Sequence, residues 1–318
     1  MEKSRVDRLV DLNDLFQTLV IASSVLIVRT VPPFRWQGIA RNLAALALRV
    51  RPGRTRKGVA KLDRFVPDGH LNHETNRQLL LRITASHLEE VFLLAKLRQD
   101  RAFRPAIKTE GKDAVASAVG QGRGVLLWTA PQVFTPLLVR MLAHDEGWPI
   151  NHLRLWAHGP SSTRYARRFL NHTQLRAENQ YANHIVISKA GPMPAVLEVS
   201  RRLREGQVVQ FHGVSNSGNP VSVPLFQGRM DLAAGAPRIA LQCGAALLAV
   251  AATRSPDSGT FLIKFVPLLP SDGLDPPSEH DEPEIVREAV EKFRTLLEDS
   301  FSVSPNLWPI QRLQYRSD

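Results

Sequence analysis

Two histidines stand where strand-to-loop junctions would place proton chemistry. His212 ends the apolar run 207–211 (QVVQF) and opens the polar loop 213–219, which holds Ser215 and Asn216. His158 follows the run 152–157 (HLRLWA) in the same way. An imidazole titrates near neutrality and is suited to taking a proton from an attacking group. Either residue can equally be a loop histidine that only satisfies local hydrogen bonds. Arg164, Arg167 and Arg168 fall on a basic helix expected over 162–170, with Ser161 or Ser162 as its N-cap. That trio is able to hold a phosphate, such as the phosphopantetheine of a carrier protein, or to be a solvated helix face. Ser215 and Ser217 lack the Gly-x-Ser-x-Gly setting of a hydrolase nucleophile. The single cysteine, Cys243, excludes structural disulfides and zinc sites that need two thiolates. It sits in an expected helix as a small core residue. No cofactor and no metal is expected.

The elements that would position these groups alternate. The continuous apolar run 125–128 (VLLW) reads as a strand buried on both faces. Further strands are expected at 152–157, 184–187, 207–211, 246–251 and 261–265, with 221–226 extended. Helices are expected at 112–119, 135–143, 195–204, 237–243 and 282–301, and 270–283 is a surface loop. This order predicts an α/β fold, a mixed, largely parallel central sheet flanked by helices. Residues 79–97 form an amphipathic helix, and Pro105 marks the boundary between an N-terminal helical region (1–105) and the α/β domain (106–318).

At 318 residues, 43% hydrophobic and 22% charged, the composition excludes collagen-like, disordered and disulfide-scaffold classes. The net charge of +11 is concentrated at one end, since residues 1–108 carry 20 Lys/Arg against 10 Asp/Glu. Its densest part is Arg49, Arg51, Arg54, Arg56, Lys57, Lys61 and Arg64, opposed by Asp63. Such a patch fits anionic lipid headgroups, an acidic protein or plain solvation. No nucleic acid partner is expected, because no DNA-binding motif accompanies the charge. The apolar run 15–28 is interrupted by Gln17, Ser23 and Ser24 and ends at Arg29. It is shorter than the roughly 20 residues a membrane span requires. With the second apolar stretch 43–50 it predicts a helical hairpin lying at an anionic membrane surface, or else two helices packed on the main domain. Asp7, Asp11 and Asp14 before the run argue against a signal peptide.

Three stretches carry a resemblance. They are Glu110-Gly111 with 122–129 (GRGVLLWT); 203–209 (LREGQVV) with 223–228 (VPLFQG), 234–241 (AGAPRIAL) and Gly244-Ala245; and Pro305-Asn306-Leu307-Trp308. Together they resemble the bacterial lipid A biosynthesis acyltransferases, the lauroyl and myristoyl transferases of the lysophospholipid-acyltransferase-like superfamily. The resemblance implies a mixed α/β domain, an N-terminal membrane anchor and residence at the cytoplasmic face of the bacterial inner membrane. It also implies acyl transfer from acyl carrier protein to a lipid acceptor. Pro224, Phe226 and Gly228 match its acyl-side motif.

The sequence departs from that family where the chemistry should be. Members place a histidine just after the first long strand and an acidic residue five positions later, the pair that deprotonates the acceptor hydroxyl. Those positions are Pro131 and Pro136 here, and none of the ten histidines has an acidic residue five places on. Two classes of function remain. One is an acyltransferase-like enzyme with altered chemistry, using an acyl carrier protein or another acyl thioester as donor and an amine or lipid as acceptor. A free amine is already nucleophilic and needs a protein base less than a hydroxyl does. The other is a non-catalytic relative that binds a lipid or acyl carrier and serves a partner enzyme. For the enzyme, elimination and position favour His212 as the base, with His158 second.

Overall fold

A computed structural model of the chain describes residues 9–66, 74–156, 159, 163–189, 191–213, 220–255, 259–269, 281–309 and 315–316. Four helices come first: α1 (Leu12–Thr30), α2 (Trp36–Val50), α3 (Pro52–Phe65) and α4 (Asn76–Gln99). Then follow β1 (Ile107–Glu110), α5 (Lys112–Gly120), β2 (Val125–Thr129), α6 (Thr135–Asp145), β3 (Ile150–Leu155), α7 (Asn171–Glu178), β4 (Asn183–Ile187), α8 (Met193–Arg204) and β5 (Val208–His212). The hairpin β6 (Val221–Leu225) and β7 (Gly228–Leu232) leads to α9 (Gly235–Gln242), β8 (Ala246–Arg254), β9 (Phe261–Pro267), α10 (Glu282–Val303) and β10 (Tyr315–Arg316).

The main sheet has seven strands in the order β1-β9-β8-β2-β5-β3-β4. Strands β8, β2, β5, β3 and β4 run parallel, while β9 is antiparallel to β8 and carries β1 parallel to itself. The fold is therefore α/β with a mixed, mostly parallel sheet. β2 lies inside it, buried along its whole length. Its alternate side chains face two helical layers. Leu126 and Trp128 join α8, α9 and α10, where Trp128 stacks on Phe293 at 4.1 Å. Val125 and Leu127 join α5, α6 and the Leu93 and Leu97 end of α4. A smaller antiparallel sheet, β10-β7-β6, lies beside the first layer.

The N-terminal helices form no free-standing hairpin. Both α1 and α2 pack on α4, through a cluster of Val28, Trp36, Ala40, Ala44, Ala85, Phe92 and Ala95. α4 also supplies Leu79, Leu80 and Ile83 to one sheet layer and Leu93 and Leu97 to the other. The outer side of α1 remains exposed and apolar, with Leu15, Leu19 and Leu26 each more than half exposed. Among the described residues, no helix is long and apolar enough to cross a membrane. α1 begins at a reciprocal cap, in which the Asp11 and Asp14 carboxylates each accept from the other's backbone N–H. Asp14 also accepts from the buried Thr163 hydroxyl at 2.7 Å, and this ties α1 to the segment after β3.

Candidate functional site

The carboxyl ends of β2, β5, β3 and β4 and the entry to α6 meet on one face of the sheet. Register decides which side chains share it. Leu127 pairs with Gln210, Thr129 with His212, His152 with both Gln210 and His184. Cross-strand partners point the same way, so His152, His184, Gln210 and His212 belong to the face that α6 covers. The His152 ring lies 5.6 Å from that of His212 and 5.8 Å from that of His184, both edge-on. His152 and Gln210 are fully buried, whereas His212 is exposed at the strand end. Among the described residues, no group of three or more His, Cys, Asp or Glu is placed to hold a metal ion.

The loop after β2 is pinned from several sides. Ala130 N–H donates to Val250 O, and Val133 N–H donates to Leu307 O, each within 2.8 Å. Gln132 is buried, and its Oε1 accepts from the Thr135 hydroxyl and from Ala252 N–H, both at 2.8 Å. Phe134 turns into the core against Phe261. Pro131 and Pro136 are half-buried and offer no proton. The carbonyl of Pro136 is nonetheless a hub. It accepts from Arg140 Nε at 2.9 Å and from Gln210 Nε2 at 3.1 Å, and Gln210 Oε1 faces His152 Nδ1 at 3.2 Å. Behind it, Arg140 is paired with Glu178 at 3.3 Å, both almost fully buried, and Gln174 also donates to Glu178. Arg154 projects on the same face of β3. Burial pushes its guanidinium below the ordinary arginine value, with the Glu178 carboxylate acting in the opposite direction.

The basic segment after β3 differs from the helix expected over 162–170. Its cap is Thr163, whose hydroxyl accepts from Ala166 N–H at 3.1 Å. Residues Ala166–Leu170 then form a π-turn that runs into α7. Arg167 lies 5.0 Å over the Trp156 ring, which Lys189 covers at 4.3 Å. Arg168 stands over Phe169 and Arg164 is exposed. The wider turn re-phases the arginines, so they do not make one continuous stripe. His158, Ser161, Ser162, Ser215 and Asn216 lie outside the described residues.

The acyl-side motif is the β6–β7 hairpin. Pro224 is exposed and Gly228 buried. Phe226 sits at the turn with φ +53°, a conformation bulky residues avoid, held by Phe65 at 5.3 Å and Phe301 at 4.8 Å. These aromatics belong to the layer under α10, the face of the main sheet opposite His152. The hairpin reaches the end of β5 through Ala233 N–H, which donates to Gly213 O at 3.0 Å. Cys243 follows the end of α9, half-buried, with its thiol toward Ser200 O at 3.8 Å.

Sequence reasoning missed His152, His184, Gln210 and Arg154. Their signal was polar side chains at alternate positions inside otherwise apolar strands, a pattern that marks one face of a sheet. A family model described as bacterial lipid A biosynthesis acyltransferase matches residues 7–295. The chain belongs to that family. A search of curated proteins with this sequence finds no match. The family is one of acyl transfer in lipid A biosynthesis, and the entry to α6 in this chain carries Pro131 and Pro136, neither of which offers a titratable group. An imidazole on the neighbouring strand end, His212, has its ring 5.6 Å from that of His152, which Gln210 links to the Pro136 carbonyl.

Proposed function

We propose that this protein transfers an acyl group from acyl carrier protein, or another acyl thioester, to an amine or lipid acceptor at an anionic membrane surface, with His212 as the proton acceptor. The work would be done at the cytoplasmic face of the bacterial inner membrane. The observation that carries the reading is an exposed imidazole at the carboxyl end of β5, backed by the buried His152–Gln210–Pro136 chain. In parallel α/β sheets that edge borders the ligand crevice. The acceptor N–H or O–H attacks the thioester carbonyl, His212 takes its proton, the C–S bond breaks, and the departing thiolate receives a proton to leave as thiol. Arg164, Arg167 and Arg168 would attract the phosphate of the donor. A membrane partner is supported by α1's exposed leucines and by residues 15–62, which contain no acidic residue.

The test is a turnover assay with acyl carrier protein loaded with a medium-length acyl chain, against amine- and hydroxyl-bearing lipid acceptors, with products read by mass spectrometry. His212→Ala should lose at least about tenfold in turnover while keeping its melting temperature. Full activity in that variant would rule His212 out as the base and turn attention to His158. The second reading, a binding relative without turnover, is favoured by the prolines at 131 and 136. It predicts a bound acyl or lipid species that co-purifies and is never converted.

A further inference from the structure

We propose that the paired ends of α1 and α4 hold the phosphate of a membrane lipid whose chains meet the exposed stripe of α1. The proposal rests on the reading of this helix as a membrane contact and gives it one discrete site. Between the last turns of the two helices lies a groove of about 490 Å³, lined by Val25, Arg29, Ala95, Arg98 and Gln99. Gln99 Nε2 donates to Val25 O at 3.2 Å, so a hydrogen bond joins the two walls. Beside it, Val28, Phe92 and Ala95 pack α1 on α4 in the core of the helical region. The groove is therefore built on two rigid elements.

Two guanidinium groups share this space, and among the described residues neither has an acidic partner. Residues 15–62 contain no Asp or Glu, so α1 and α2 supply none. On α4, Glu89 is taken by Arg254 at 2.6 Å, and Glu90 lies two turns, about 12 Å, before Arg98. Asp100, next to the groove, is held by Lys96 at 3.1 Å and accepts from Ala102 N–H at 3.1 Å. A terminal phosphate carries about −1.5 to −2 charge near neutrality, and arginine meets its oxygens with paired N–H groups. Two arginines on facing walls match that charge. The apolar side says which phosphate. Leu15, Leu19 and Leu26 are 57%, 65% and 63% exposed and fall on one helical stripe. Arg29 follows Leu26 by three residues, so the stripe runs to the lip of the groove. Leucines leading to a pair of cations suit a phosphorylated lipid, whereas a free phosphate gains nothing from them.

Calorimetric titration of the full chain with monomeric dihexanoyl phosphatidic acid reads the site without a membrane. The lipid should bind, and Arg29→Gln and Arg98→Gln should each weaken it by at least about tenfold, the weight of a charge-assisted hydrogen bond. Arg287→Gln, on the exposed face of α10, should leave it unchanged. Leu26→Ser should weaken the lipid further than it weakens inorganic phosphate. Dihexanoyl phosphatidylcholine, with the same chains and no net charge, should bind at least about tenfold more weakly than the phosphatidic acid. Inorganic phosphate binding as tightly as the lipid makes the groove a site for free phosphate and overturns the lipid assignment. Equal binding of phosphatidylcholine, or an unmoved affinity in both arginine variants, overturns the site. Both arginines stand in the last turn of a helix, where a cation also offsets the negative end of the dipole. Variants that lower the melting temperature and leave lipid affinity in place would assign them that task alone, and overturn the site as well. Flotation separates this proposal from the membrane reading beneath it. A native chain that floats with anionic vesicles yet shows no arginine-dependent binding of monomeric lipid refutes the groove alone. One that binds the monomeric lipid and does not float refutes the surface.

Discussion

Gly213 ends β5 in a space that admits no side chain. A Cβ there would meet Phe293 Cζ at 2.6 Å and Thr129 O at 2.9 Å, while its own N–H donates to Thr129 O at 2.8 Å. Gly213→Ala should therefore cost about 1–3 kcal/mol, the price of overpacking, read as a lower urea midpoint. Among charges, burial separates large effects from small ones. Glu178 and Arg140 are both 3% exposed, and Arg140 also holds Pro136 O. Glu178→Gln leaves a buried guanidinium uncompensated and should destabilise the fold by about 3–5 kcal/mol. Glu198 on α8 is the contrast. Hydrogen bonds from Arg201 and Arg202 hold its carboxyl down at about 2, yet the group is open to solvent. A depressed folded value means that any stabilisation is present above the ordinary 4.5 and is lost as pH falls toward 2. Glu198→Gln should leave the urea midpoint at pH 7 nearly unchanged. The prolines at 131 and 136 were readable from residue types alone. The His152–Gln210 contact was not, because 58 residues separate the two and only the order β5-β3 brings them side by side.

Elements differ in how far their sequence declares them. β2 declares itself, since a strand covered on both faces needs an unbroken apolar run, and VLLW is one. α1 gives two signals at once. Its inner stripe packs on α4, and its outer stripe of Leu15, Leu19 and Leu26 is just as apolar. Hydropathy cannot tell a helix that packs on protein from one that also meets lipid. The π-turn at Ala166–Leu170 was out of reach for the same kind of reason, because its composition is that of an ordinary basic helix. α1 lies along α4 and is fastened at Asp14, so membrane contact through this helix should be lateral. In flotation with anionic vesicles, Leu15→Ser, Leu19→Ser and Leu26→Ser combined should weaken binding without lowering the melting temperature. Neutralising Arg54, Arg56 and Lys57 should weaken it by about 1 kcal/mol per residue, and only toward anionic lipid. Equal binding of the native chain to neutral vesicles would remove the electrostatic part.

At the scale of the molecule, the chain's last described turns close what its middle builds. Pro305–Leu307 form a 3₁₀ turn, Leu307 O accepts from Val133 N–H, and Asn306 bridges Arg82 and Ser86 of α4. Trp308 is wholly buried among Phe65 and Phe301. Trp308→Ala should cost about 3–5 kcal/mol in urea unfolding, as for other buried aromatics. It should also speed hydrogen exchange at Val133 more than at Val125, since only the former amide depends on the tail. The helical N-terminus, the loop beside the site and the tail thus share one latch, with more than 200 residues between Arg82 and Asn306. A latch fastened by residues 305–308 also keeps time during translation. While the ribosome is still reading the codons for α10, strands β1 to β9 and the histidine cluster have been made, but the 130–134 loop still lacks the bond from Val133 N–H to Leu307 O that the tail supplies. A polypeptide released early at that stage would carry every candidate chemical group beside a loop held by β8 and β9 but not by the tail, a form more open to proteases than the finished chain.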